Sequence, residues 1–162
     1  MREVKFRGYS LLTSRWIYGA YYKHLPFTPS PSQKVDENEY EHLIIKDSFS
    51  DWQLPRGIHY EQVNPESVSE FTGLKDSLDN DIFEGDILTV IGKNREEFTA
   101  PVVWRGENGL PAFILDPKYV SREFFLEDGV LSLVNSDLGL AVVVMGNVYE
   151  NPELLEVNKN AD

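Results

Sequence analysis

The sequence contains no cysteine. That absence rules out disulfides, thiolate metal centres and a cysteine nucleophile, and with them the small secreted scaffolds held by cross-links, so an intracellular, cytoplasmic setting is the default expectation. Histidine is scarce. The three histidines, His24, His42 and His59, have no partners at the spacing of a metal site or a catalytic triad, and His59 on an alternating stretch reads as an ordinary edge histidine. No apolar run approaches the length of a membrane span, and the basic amino end lacks the apolar stretch of a secretory leader, which predicts a protein that stays where it is made, away from membranes. Glycine-rich phosphate loops of the Walker or dinucleotide kind are missing as well, so no nucleotide cofactor is implied. Internal repeats and low-complexity tracts are also lacking.

What remains is an acidic chain of 162 residues with a net charge of -12, and a composition of 41% hydrophobic and 26% charged residues that is near the globular average. The acidity is unevenly placed. Lys and Arg at positions 2, 5, 7, 15 and 23 face only Glu3 among the first thirty residues, so the amino end is a basic island on an acidic body. Non-specific binding to phosphate backbones is disfavoured on average, although a local basic patch can still bind them.

The apolar pattern is that of short strands. Val4 to Tyr9 and Trp16 to Tyr22 alternate, with a turn over residues 10 to 15, and predict an N-terminal hairpin whose Val4 and Phe6 point inward while Lys5 and Arg7 share the other face. Residues 25 to 39 hold three prolines and an acidic run, and read as an exposed connector. Residues 40 to 49 fit a strand or a short helix, and residues 57 to 63 a strand. Asn64-Pro65 and Asn151-Pro152 each carry an Asn N-cap with Pro at the first helical position, the first leaving room for one turn and the second opening a short C-terminal helix. Residues 156 to 162 read as a frayed end.

Phe71 to Val90 is the central stretch, two apolar runs parted by the Asp79-Asn80-Asp81 cluster and punctuated by Gly73 and Gly85. There Gly85 supplies an unusual backbone angle, and the Asp86 carboxylate can accept a nearby amide as the chain enters the next strand. Residues 98 to 105 and 112 to 115 form a hairpin about Gly106 to Gly109, residues 124 to 134 are ambiguous, and the valine-rich segment 139 to 148 predicts a strand buried on both faces in the middle of a sheet. Short strands with Gly and Asp/Asn turns point to a mainly β barrel or sandwich.

Several of these words fall in a familiar order: Met1 to Arg7 with Trp16-Ile-Tyr-Gly19, Phe71 to Asp76 with Ile82 to Ile87, Val103-Trp104, and Gly146 to Leu155. In them the chain resembles the YopX family of bacterial phage and prophage proteins. The resemblance implies an N-terminal β element, taken here as residues 1–62 with its connector, followed by an SH3-like small β-barrel, taken as residues 63–162 and closing on the short helix read above; it implies no particular activity. Relatives generally carry a glycine near Leu78 to Asn80, so Asp79 or Asn80 must form that tight turn here. Gly73, Glu84, Gly85, Asp86, Asn151 and Pro152 are the structural motif positions.

The acidic series Asp76, Asp79, Asp81, Glu84 and Asp86 invites a cation, but Glu84 occupies the position of the glycine an EF-hand loop needs and the distal bidentate Glu is absent, so a solvated turn is expected and no metal site. No catalytic constellation is visible, and the chain is not expected to be an enzyme. The basic hairpin is the most suggestive feature. Lys5, Arg7, Arg15 and Trp16, with Tyr18, Tyr21 and Tyr22 beside them, could hold nucleic acid by phosphate contact and stacking, yet alternating hairpin aromatics are ordinarily a core face. The leading expectation is a non-catalytic accessory protein acting through protein contacts, with itself as a homo-oligomer or with a host or phage protein. A nucleic-acid-binding module and an acidic decoy of a basic host protein stand as alternatives.

Overall fold

The computed structural model describes residues 4–47, 57–92, 97–106, 111–120 and 140–156. Among them are ten strands and a few short 3-10 turns, every pairing is antiparallel, and the chain divides into two compact units, residues 1–70 and 71–162. The division falls later than the sequence suggests. Residues 63 to 70, expected to open the carboxy-terminal region, belong to the first unit: Val63 is in its core, and the Ser67 hydroxyl accepts a hydrogen bond from the Tyr9 amide at 2.7 Å.

In the first unit, β1 (Phe6–Tyr9) and β2 (Trp16–His24) form the expected hairpin, and β3 (Glu41–Asp47) and β4 (Ile58–Gln62) extend it to the order β4-β3-β2-β1. Residues 41 to 47 thus take the strand option, in keeping with β-branched Ile44 and Ile45. The first two residues of β5 (Ser69–Lys75) pair with Arg7 and Phe6 on the far side of β1. Ile17, Ile44 and Val63 form the core, with Phe6, Tyr21 and Val68 packed on it. Gly19 lets the strands close: a Cβ there would overlap the Ile45 carbonyl oxygen. The connector is largely exposed, and holds a 3-10 turn at Glu37–Glu39 that Asp36 and Glu39 cap reciprocally.

The second unit contains the rest of β5, β6 (Asp81–Phe83), β7 (Asp86–Ile91), β8 (Glu97–Arg105), β9 (Ala112–Leu115) and β10 (Ala141–Asn147). β5 pairs with β6 through a register shift at Gly73, whose φ is +86°, and the other four strands form an open sheet in the order β10-β7-β8-β9. β8 pairs with β7 through Pro101 and with β9 from Val102 onward. Pro101, which has no N–H to give, thus falls where β8 changes partners. Leu88, Val90, Phe98, Ala100, Val102, Phe113, Ile82 and Val142 form the core.

Two details differ from the sequence reading. β10 is a strand, but it is outermost in this ladder rather than central, and of its three consecutive valines only Val142 is fully buried while Val143 and Val144 are half-buried. The Asp76-Ser77 turn takes the place of a neighbouring strand: the Val142 amide donates to the Ser77 hydroxyl at 2.9 Å, the Ser77 amide to the Val142 carbonyl at 2.8 Å, and the Val144 amide to the Asp76 carboxylate at 3.1 Å. The C-terminal helix is a single 3-10 turn, Pro152–Leu155, and the Asn151 side chain does not cap it but instead accepts from the Asn147 amide. By contrast, Asn64 does cap its turn, accepting from the Glu66 amide at 3.0 Å. The expectations for residues 107 to 110, 121 to 139 and 157 to 162 lie outside the described residues.

Candidate binding surface

Antiparallel registry decides which hairpin residues share a face. Arg7 lies opposite Tyr18 and Tyr9 opposite Trp16, so alternation places Lys5, Arg7 and Tyr9 with Trp16, Tyr18 and Tyr22 on one side, and Phe6, Ile17 and Tyr21 on the other. The core is on the second side. The face that alternating aromatics ordinarily occupy is therefore reversed here: Tyr18 and Tyr22 are 47% and 52% exposed. Val4, expected inside, is exposed, and only Phe6 of that pair packs on the core.

Three of the four expected binding residues come together on this outer face. The Lys5 ammonium lies 5.4 Å from the Tyr18 ring centroid, and the Arg7 guanidinium 4.6 Å from the Trp16 ring, which also meets Tyr9 edge-on at 5.6 Å. Arg7, however, is only 8% exposed, so its charge is spent within the protein and Lys5 is the more accessible cation. Arg15 is exposed at the end of the hairpin turn, where its carbonyl accepts the Ser10 amide. The face continues across the sheet, since Ala20 pairs with Ile45 and Ile45 with Tyr60, which is 66% exposed. Tyr60 escaped the sequence reading because two strand registers separate it from the hairpin.

The inner side and the turn are fixed by polar contacts that no spacing reveals. Glu61 on β4 accepts from Lys46 at 2.6 Å and from the Ser10 hydroxyl at 2.7 Å, tying the hairpin turn to the distant strand. The Lys46 bond, then the Ser10 bond, holds its carboxyl below the ordinary glutamate value. Tyr21 and His42 share a hydrogen bond of 2.8 Å, and burial pushes the Tyr21 phenol above its ordinary value, so it is a neutral structural group rather than a nucleophile at neutral pH. His59 is exposed on β4.

In the second unit the acidic turn is consumed by its own backbone. Asp76 accepts from the amides of Leu78, Asn80 and Val144 and from the Asn80 side chain, at 2.8 to 3.1 Å. Burial pushes its carboxyl up, and those hydrogen bonds together outweigh burial and leave it lowered. Asp79, one of the two residues expected to form this tight turn, takes the positive φ, +68°. Lys75 lies 3.4 Å from Asp79 and 3.1 Å from Asp81, and Asp86 accepts the Phe83 amide at 2.7 Å across the Glu84-Gly85 turn, where Gly85 has φ +75°. Among the described residues no group of three or more His, Asp or Glu is placed to hold a metal ion. No helix there is long and apolar enough to cross a membrane.

Antiparallel sheets with structural polar hubs, and an aromatic face exposed at Tyr18, Tyr22 and Tyr60, define a mainly β protein. The chain belongs to the YopX family: the family's model, described as YopX protein, matches residues 5–156. Among solved structures the chain is similar to protein EF1440 from Enterococcus faecalis, at 21% identity over 96% of this chain and 99% of that one, with a TM-score of 0.49. No curated protein matches.

Proposed function

We propose that the protein is a phage or prophage accessory protein that works in the bacterial cytoplasm by contact rather than catalysis, and that its first contact is with itself. The observation that carries this reading is the edge strand β4. Among the described residues it is outermost in its sheet, its Ile58, His59 and Tyr60 are exposed, and it carries neither the lysine nor the proline that ordinarily blunts such an edge. The Val63 amide bonds inward to the His42 carbonyl, so antiparallel alternation turns the backbone groups of Ile58 and Tyr60 away from β3. A second copy of the same strand, brought up about a two-fold axis, satisfies those groups.

The second unit serves as the scaffold in this reading, as a small barrel of the SH3 type. The return of β10 beside the first strand of a β7-β8-β9 meander supports that architecture. The test is sedimentation velocity over a range of concentrations, comparing the wild type with Ile58→Lys, which places a charge on the edge without touching the core. The wild type is expected to assemble as concentration rises and the variant to remain monomeric. A wild type that is strictly monomeric at high micromolar concentration sinks the reading.

A further inference from the structure

We infer that the outer face of the N-terminal sheet is a binding platform for single-stranded nucleic acid, with Tyr18, Tyr22 and Tyr60 stacking on bases and Lys5 meeting phosphate. This inference goes beyond self-association and uses the flat of the sheet, not its edge. Tyr18 and Tyr22 flank Ala20 on one strand, roughly 7 Å to either side of it along the chain, and Tyr60 lies two strands from Ala20, roughly 10 Å across the sheet. Small Ala20 and half-buried Ile45 form the floor between them. Three exposed rings around a low floor offer separate bases a π face each, and the stacking tolerates any sequence.

Charge favours this occupant over a protein of the chain's own kind. The chain carries a net charge of -12, but this face borders the basic island, with Lys5 on its rim and Arg15 at the hairpin turn. Alternation puts two acidic positions of β3 on this face, Glu41 and Asp47, one at each end of the strand and paired in register with His24 and Ile58, so neither lies between the three rings and Lys5. Arg7, buried against Trp16, acts by holding the rim and not by reaching phosphate. A duplex hides its base faces, so this platform reads single strands.

Fluorescence anisotropy with labelled oligothymidylate and oligouridylate of about 20 nucleotides, and a duplex of about the same length, tests this on the full chain at roughly 50 mM salt. Both single strands or one of them are expected to bind, the pair of probes telling DNA from RNA, and the duplex to bind far more weakly. Tyr22→Ala and Tyr60→Ala should each weaken binding roughly 5- to 100-fold while Tyr22→Phe and Tyr60→Phe retain it, because stacking needs the ring and not the hydroxyl. Lys5→Ala should reduce the salt slope by about 0.7, the single-strand value for one lost phosphate contact. Ile58→Lys, which blocks self-association, leaves this binding intact or tightens it, so failure of one idea is distinguishable from failure of the other. The inference is overturned if neither single strand binds at low salt, if the alanine variants bind as the wild type does, if the duplex binds equally well, or if those variants dissolve an assembly while no oligonucleotide binds, which makes the face a protein interface.

Discussion

At the scale of single residues, Asp76 carries more of the second unit than its place in an acidic run suggests. Four donors converge on its carboxylate, one of them from β10, more than sixty residues away in sequence. Asp76→Ala strands those donors in a buried setting and is expected to cost roughly 2–4 kcal/mol, measured by urea unfolding. The carboxyl is held below its unfolded value, so its contribution is complete above the ordinary aspartate range near about 4 and drains away as pH falls through the lowered folded value. Glu61 in the first unit follows the same sign, since its bonds to Lys46 and Ser10 also favour the ionised form. Wild-type unfolding should therefore steepen with acid below about pH 4, and Asp76→Asn should flatten part of that dependence; an unchanged acid profile in the variant contradicts the assignment. Gly19 is the other decisive residue. Its missing Cβ is the space that the Ile45 carbonyl occupies, so Gly19→Ala is expected to destabilise the first unit by about 2–3 kcal/mol, read as a lower melting temperature.

Elements in this protein are held by turns as much as by ladders. β5 changes register against β6 at Gly73, where the Thr72 hydroxyl donates to the Ile82 carbonyl at 2.8 Å and accepts the Leu74 amide. A Cβ at Gly73 meets nothing within 4 Å, so Gly73→Ala should cost only the left-handed backbone penalty, about 1–2 kcal/mol, well short of the clash at Gly19. Circular dichroism melts of the two variants side by side check that order. β10 shows the converse of a bare edge: where a strand would otherwise be open, Asp76 and Ser77 fill its outward positions. On β4 the Leu11 amide covers the Gln62 carbonyl, but Ile58 and Tyr60 have no such cover from the described residues, and that contrast is the reason self-association is assigned to it.

For the whole molecule the governing quantity is the uneven charge. A chain at -12 repels its own copies, so edge-to-edge assembly should strengthen several-fold between about 50 and about 500 mM salt, when the Debye length has shrunk to a few ångströms. Nucleic-acid binding on the basic island must do the opposite, because phosphate contacts release counterions. Light scattering and anisotropy over one salt series thus give opposite slopes if both surfaces act as described. Assembly that weakens with salt points instead to pairing between the basic island and an acidic body.

Most of the strands and turns, and the family, were legible in local pattern, while residues 40 to 49 stayed open between strand and short helix. Period-two alternation gave the hairpin; the Asn-Pro pair gave the turn after residue 64; Gly85 marked a positive backbone angle; and Asp86 was legible as a local amide acceptor because donor and acceptor are three residues apart. Tertiary structure alone decided which face of the hairpin is covered. Alternation states that Trp16, Tyr18 and Tyr22 share a side, but both sides of β2 carry aromatics, and only the packing of Ile44 and Val63 from other parts of the chain selects Tyr21's side as the core. The same holds for Asp76 with Val144, Glu61 with Ser10, and Tyr60 beyond Ile45. Each joins residues far apart in the chain, and local pattern carries no information on which distant partner will fill a face or satisfy a carboxylate.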